Sequence, residues 1–567
     1  MATAAPWAAT STAQPHIKAP PSTDPHSERG PFCRHTCHFS AATLAHVENF
    51  GDICATVCAG ATPPPLQSHA PGGKQPHRRH PATRPGGAIN IQPMHGLYLT
   101  GVIINEIIAA VAIVHVLMDN RQPAKTMAWA LVIFFVPVVG ILLYVFFGIN
   151  TRKERMMSQR SMDQLTKRSM LEFAEQHDLH LPEAYRQTID LFVNQNMAMP
   201  FNNTKADIYT DGHSFFLELL YAIGQARHHI HIDMYIFADD ALGNLVADAL
   251  IDSSRRGVEV RVIYDDVGCW NVSHRFFERM REGGVDVRPF LPVRFPTFTG
   301  KVNYRNHRKI VVIDGRTGFI GGMNIALRYV KGTGTQAWRD TMVRITGGAL
   351  YGLQRAFLVD WYFVDRTLIS SRKYYPQPDG SVASACIAQI VTSSPIAPYP
   401  DIMQGYVRII LGARRYIYIE TPYFLPTEPV LFALKTASVG GIDIRIIVPR
   451  HSDSRFVEWA GRSYLRNMVE AGVKIYMYTA GFMHSKLLVC DDSLATCGST
   501  NVDFRSFENN FEGNAFFYDE ETAMRFKQVF LADQERSVLF NDTAQGKQPN
   551  FMARLWESLI RLLSPVL

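Results

Sequence analysis

The sequence predicts an α/β protein: two similar lobes, each a mixed sheet flanked by helices, preceded by an N-terminal transmembrane helical hairpin. Three observations carry that prediction. The frame His-x-Lys-x-x-x-x-Asp occurs at residues 307–314 and again at 484–491, 177 residues apart. The segments around both copies correspond in order, with short β-branched runs alternating with amphipathic stretches. Upstream, residues 127–148 form a run of 22 positions without a charge, about the ~20 needed to cross ~30 Å of hydrocarbon.

Residues 1–93 differ from the rest of the 567. They hold 14 of the 32 prolines, 8 of the 20 histidines and 4 of the 8 cysteines, and no sustained hydrophobic period. Such a stretch cannot bury enough apolar surface to offset its ordering entropy. Cys33/Cys37 and Cys54/Cys58 are spaced C-x-x-x-C, with His35 and His38 nearby, outside the strong zinc patterns. The segment reads as a disordered tail, or as residues upstream of a true start at Met94. It is no secretory signal, because a basic region and apolar core do not stand at its start. It also carries +3 of the net charge of +6, seven Lys/Arg against four Asp/Glu. The remaining body is barely basic, which argues against nucleic acid as its partner. Cys269, Cys386, Cys490 and Cys497, scattered through that body, read as reduced, buried thiols, consistent with a cytoplasmic location.

Residues 94–150 form the expected hairpin. The charge-free run has Trp129 and Tyr144 toward its ends, where amphipathic rings favour the interface. Pro137 and Gly140 are tolerable in a membrane helix when neighbours satisfy the freed carbonyl. The earlier run, 96–118, is also long enough to span, and carries Asn105 and Glu106. Glu106 reads as a neutral helix-pairing group, since no partner for a proton relay is visible. The connector holds Arg121 and Lys125, whereas Arg152, Lys153 and Arg155 follow the second run. That excess predicts a multi-pass inner-membrane protein whose large C-terminal body is cytoplasmic. Residues 151–199 read as a helical linker.

Lobe 1 is assigned to residues 200–375 and lobe 2 to 376–545. "HHIHIDMYIF" (228–237) corresponds to "RYIYIETPYF" (415–424), "GVEVRVIYDD" (257–266) to "GIDIRIIVPR" (441–450), and "EGGVDVRPF" to "EAGVKIYMY". Each is a strand by composition and boundaries. "HSFFLELLYAIGQARHH" and "NLVADALIDSSRRG" read as helices. A repeat too long for a solenoid unit points to duplication, with one shared site where the lobes meet. In a strand, residues i and i+2 share a face, so His307 projects with Lys309 and His484 with Lys486. Asp314-Gly315 and Asp491-Asp492 look like hairpin turns, which favours a scaffold role for Asp314 and Asp491, although as members of the motif they are grouped with its catalytic side chains. Each copy then places an Asn at the same offset, Asn324 and Asn501. A lone His on a strand is usually structural; two copies in one frame are hard to explain by packing.

The two motifs resemble those of the phospholipase D superfamily. The hairpin, "NYRNHRK" (303–309), "GSTNVDFRSFENNFEGN" (498–514) and "RLLSPVL" (561–567) resemble bacterial cardiolipin synthases over roughly residues 95–567. One departure is Gly322 where the second copy has Ser499, which makes any hydroxyl help to phosphate binding one-sided. The resemblance implies phosphatidyl transfer from one phosphatidylglycerol to another, giving cardiolipin and glycerol, with no cofactor and no metal. Phosphodiester exchange without a metal needs a nucleophile, an acid for the leaving alkoxide and cations for the phosphate. The two histidines supply the first two, one forming a phosphohistidine; by resemblance that one is His307. Lys309 and Lys486 clamp the phosphoryl oxygens and disfavour a charged imidazole, and Asn324 and Asn501 donate hydrogen bonds. Asp340 in "WRD" and Glu512 in "NNFEGN", one from each lobe, are the candidates that fix the imidazole tautomers.

"RFPTFTGKVNYR" (294–305) reads as a head-group contact or an ordinary loop. The C-terminal segment 546–567 is an amphipathic helix, with Arg554, Glu557 and Arg561 on one face and Leu555, Leu559, Leu562 and Leu563 on another, expected to dock on the body. Three alternatives stand beside the synthase reading: a phospholipase D or another phosphatidyltransferase, a membrane-bound nuclease, and a scaffold with a dead site. The sequence leaves the oligomeric state open.

Overall fold

Alternating strand and helix produce two sheets of matching connectivity. The computed structural model describes residues 92–119, 123–148, 179–293, 303–334, 336–376 and 384–565. The tail 1–91, residues 151–178 with Arg152, Lys153 and Arg155, Arg121, and the loop 294–302 lie outside the described residues.

In the first sheet, His229–Met234 pairs in parallel with Glu259–Asp265, which pairs in parallel with Asp286–Phe290. On its other side runs the antiparallel motif strand, Lys309–Ile313, then Thr317–Gly321, Met342–Gly347 and Thr204–Tyr209. The second sheet repeats this: Tyr416–Glu420 beside Asp443–Pro449 and Lys474–Tyr478 on one flank, and Leu487–Cys490, Leu494–Gly498, Asn510–Tyr518 and Ile387–Ser393 on the other. Strand alternation assigns each side chain to a core. Val311 and Ile313 face the helices Gly212–Gln225 and Ala241–Arg255 of lobe 1. Leu488 and Cys490 face the corresponding lobe 2 core. Ile310, Val312, Leu487 and Val489 point the other way, into one shared cluster that joins the sheets. Cys269, Cys386, Cys490 and Cys497 are all buried.

Four expectations are corrected. Pro200–Phe201 pairs with Ile387–Ser393 in the second sheet, so lobe 1 starts at Thr204. The helix Arg186–Asn196 buries Ile189 and Phe192 in the lobe 2 core and belongs to the body rather than to a linker.

The charge-free run does not form one span. It breaks at Val136 into Pro123–Phe135 and Pro137–Phe147, of 13 and 11 residues. At ~1.5 Å per residue, neither covers ~30 Å of hydrocarbon. Pro137 lacks the N–H that would continue the ladder, and a Cβ on Gly140 would stand 2.9 Å from the Ile133 Cα, so the segments fold back on each other. Trp129 and Tyr144, 15 residues apart in sequence, meet at 5.6 Å between ring centroids. Leu99–Met118, 20 residues, is the one described helix long and apolar enough to cross a membrane. Glu106 is on its exposed side; Ala109 and Val116 make the helix contacts. Lys125 ion-pairs with Glu508 of lobe 2 at 3.0 Å.

The C-terminal helix, Phe551–Arg561, docks on Arg455–Glu470, as expected, but through its polar face. Glu557 pairs with Arg466 beside a buried Ile560, leaving Leu555, Leu559, Leu562 and Leu563 exposed.

Candidate active site

The histidines do not sit within the strands. His307 and His484 occupy irregular chain just before Lys309–Ile313 and Leu487–Cys490, which corrects their placement within the strands, although Lys486 Nζ still meets the His484 ring. What holds them is a pair of two-residue parallel ladders between the lobes. Arg305 and Asn306 pair with Asn510 and Phe511, which brings His307 beside Glu512. Phe482 and Met483 pair with Trp338 and Arg339, which brings His484 beside Asp340. The ladders continue into the histidines: His307 N–H donates to the Phe511 carbonyl at 2.9 Å, and His484 N–H to that of Arg339 at 2.7 Å. Each imidazole therefore meets a carboxylate from the opposite lobe.

His307 Nδ1 is 3.0 and 3.1 Å from the two Glu512 oxygens. His484 Nδ1 is 2.6 Å from Asp340 Oδ2. Burial opposes charge on both acids, yet His307 and Lys309 hold the Glu512 pKa below its ordinary value, and Lys486 and His484 do the same for Asp340. Ionised carboxylates only accept, so each Nδ1 donates and each Nε2 is left as an acceptor. Burial, with Lys309, lowers His307 to about 4; burial, with Lys486, lowers His484 to about 3. Both imidazoles are neutral near pH 7, as a phosphorus nucleophile requires.

The two carboxylates are supported differently. Ser499 Oγ donates to Glu512 Oε2 and accepts from Gly513 N–H at 3.0 Å. Of the two roles open to Ser499, binding phosphate or supporting the site, this hydroxyl takes the second by holding the carboxylate. At the equivalent Gly322, a Cβ would fall 2.0 Å from Asp340 Oδ1.

Lys309 and Lys486 are fully buried. Lys309 Nζ donates to the His307 carbonyl at 2.5 Å, and Lys486 Nζ lies 2.9 Å from His484 Nδ1. Burial, partly offset by Glu512, brings Lys309 down to about 7, and burial lowers Lys486 as well. Lys486 Nζ also lies 4.0 Å from Asp340 Oδ2, so both ammonium groups sit beside the imidazole–carboxylate pairs.

Asp314 and Asp491 are not at this centre. They close the hairpins with φ of 55° and 53°. Asp314 accepts from the N–H groups of Arg227, His228 and His229 at 2.7–2.9 Å. Asp491 accepts from Arg414, Arg415 and Tyr416 in the same range. Grouping them with the catalytic side chains is corrected: they tie the motif hairpin to the start of its neighbouring strand, as the turn pattern suggested. Asn324 lines the cavity, but its amide nitrogen donates to the Tyr329 hydroxyl at 2.7 Å and its oxygen accepts from Ile236 N–H. One of its two amide N–H donors is thus directed to the wall. Asn501 lines the cavity with its Oδ1 buried and unpartnered.

Both histidines open onto one cavity of about 650 Å³. Its walls include residues that sequence reasoning missed. Tyr235 packs edge-on to His307 at 5.0 Å, and Trp338 lies 5.2 Å from His484. Behind the histidines are buried ionic groups: Arg308 with Asp360, beside Asp233; and Arg339 with Asp533 at 2.6 Å, beside Glu420. Asp233 and Glu420 occupy matching places in the repeated strands, which was the available signal.

Residues 219–351 and 406–534 match the family described as "Cardiolipin synthase, PLD-like domain", and 107–148 match "Phospholipase_D-nuclease N-terminal". The chain is 38% identical over 458 residues to cardiolipin synthase 2 of Bacillus cereus, covering 80% of this chain and 88% of that one. It is 38% identical over 471 residues to a cardiolipin synthase of Oceanobacillus iheyensis, covering 81% and 97%. Among solved structures, a phosphatidylserine synthase of Haemophilus influenzae superposes with a TM-score of 0.53 at 16% identity, covering 67% of this chain and all of that one. That likeness concerns the fold.

Proposed function

The chain belongs to the cardiolipin synthase family of phospholipase D-like phosphatidyltransferases, and on that premise we propose how its two histidines divide the reaction. Its substrates are membrane phospholipids, and the proposed donor and acceptor are both phosphatidylglycerol. His307 Nε2 attacks the donor phosphorus while the P–O bond to glycerol breaks, and His484, which takes up a proton from water on Nε2 as the phosphodiester anion enters, gives that proton to the departing glycerol oxygen. His484 then removes a proton from the glycerol hydroxyl of a second lipid. That oxygen bonds to phosphorus, the P–N bond breaks, and cardiolipin leaves with His307 neutral again.

The observation that carries this division is the crossed pairing of each imidazole with a carboxylate of the other lobe. It turns both Nε2 atoms toward one cavity. Entry of a phosphodiester anion between Lys309 and Lys486 raises the proton affinity of both lysines and of the acid imidazole. A well-placed general acid or base contributes roughly 10²–10⁴-fold.

The body is proposed to lie on the cytoplasmic face, on the strength of Arg152, Lys153 and Arg155. Leu99–Met118 crosses the bilayer and the broken run dips in and returns. The near-neutral body favours lipid over nucleic acid as substrate.

Purified protein given phosphatidylglycerol alone, with a chelator present, tests the reading by mass spectrometry. Cardiolipin and free glycerol support it. Phosphatidic acid alone means that water is the acceptor and the protein acts as a phospholipase.

A further inference from the structure

The internal repeat extends one step beyond the motif. Four residues after Asn324 stands Arg328, and four after Asn501 stands Arg505, the same 177-residue offset that separates the histidines. Both arginines line the active-site cavity. Arg505 reaches directly across the lobes, whereas Arg328 faces the other lobe's histidine through Trp338. Arg328 of lobe 1 lies 5.1 Å over the Trp338 ring, which in turn packs against His484 of lobe 2. Arg505 of lobe 2 donates to the Asn303 carbonyl at 3.4 Å, on the His307 side.

Arg328 is half-buried, forms no ion pair with any described carboxylate, and has its Nε buried without a hydrogen-bond partner. Buried guanidinium groups are normally paired. Its neighbours are aromatic, with Tyr329 at 5.9 Å, so the cation is held in place by rings that leave its donors available.

Joining two phosphatidylglycerols brings a second phosphate into the site. The first sits between the histidines; the second, on the acceptor lipid, hangs three carbons beyond the attacking hydroxyl, on the side of the general base. We propose that Arg328 binds the phosphate of the acceptor lipid and thereby selects an anionic lipid alcohol over water or a neutral alcohol. This rests on the division of labour above, with His484 as the base. The donor half-reaction expels neutral glycerol on that side and leaves Arg328 nothing to bind. The two half-reactions therefore depend on it differently.

The test uses full-length protein in mixed micelles of phosphatidylglycerol and neutral detergent, with labelled glycerol added. Two outputs are followed: cardiolipin, and label exchanged into phosphatidylglycerol, which involves no anionic acceptor. For Arg328→Gln, cardiolipin formation falls roughly 10- to 100-fold, the span of a lost charge-assisted hydrogen bond. Glycerol exchange stays within about threefold, and Arg328→Lys recovers part of the loss. Equal loss of both outputs, or no loss of either, overturns the inference. A shift in the ratio produced by Arg505→Gln and not by Arg328→Gln also overturns it. If the unaltered protein exchanges glycerol but makes no cardiolipin, the synthase reading itself fails and the inference falls with it.

Discussion

The two halves of the active site carry the same groups on the same frame and differ in how each carboxylate is held. Behind His307, the longer Glu512 reaches the imidazole with room for a serine, and Ser499 donates to it. Behind His484, the shorter Asp340 lies so close to the chain that only a glycine fits at position 322. The departure between the copies, Gly322 against Ser499, is therefore matched by one methylene of carboxylate length. Duplication conserves the geometry at the imidazole, not the residues that achieve it.

The strongest way to break the comparison is to remove one imidazole at a time. His307→Ala and His484→Ala each lower cardiolipin formation by about 10⁴-fold or more, since one group cannot be nucleophile and acid at once. Substantial turnover by either variant refutes a shared site. Next come the crossed carboxylates. Asp340→Asn and Glu512→Gln each cost roughly 10²–10⁴-fold in kcat, by releasing the tautomer of the histidine in the opposite lobe.

Two methyl-sized changes sharpen the contrast between the halves. Gly322→Ala displaces Asp340 and loses about as much activity as Asp340→Asn. Ser499→Ala removes one hydrogen bond to a charged acceptor and loses about tenfold. Equal effects of the two changes contradict the account of the two supports.

The pH profile of kcat/KM follows from the free site. Lys309 is cationic below its pKa of about 7, so phosphate binding weakens as pH rises through that value. His307 is a nucleophile only above about 4, so activity also falls as pH drops through it. The smallest catalytic effects belong to the motif aspartates. Asp314→Ala leaves three backbone N–H groups without their acceptor, costing about 1–3 kcal/mol of stability. It lowers Tm by several degrees while kcat per folded molecule stays within about threefold.

Much of this was legible in the sequence because the signals are local. The β-branched runs fix the strands around Val311 and Leu488, and Asp314-Gly315 and Asp491-Asp492 form the expected turns. Asp340 and Glu512 stood out as the carboxylates. Their crossed pairing did not, because it depends on two ladders of two residues each, too short to leave a period. Pro200–Phe201 was hidden for the same reason. The broken apolar run was misread because composition reports hydrophobic length, whereas Pro137 and Gly140 decide whether that length stays straight. Arg328 and Arg505 were visible as a repeat, but only the cavity gives their matching offset a chemical meaning.

The most direct measurement is to trap the intermediate. Protein turning over phosphatidylglycerol is quenched, digested and searched by mass spectrometry for a phosphatidyl-histidine peptide. The two-lobe account predicts the adduct on His307, absent from His307→Ala and absent from the His484 peptide. An adduct on His484 would reverse the roles of the two lobes and move the acceptor side away from Arg328. Cardiolipin formed at full rate with no adduct on either histidine would contradict the account.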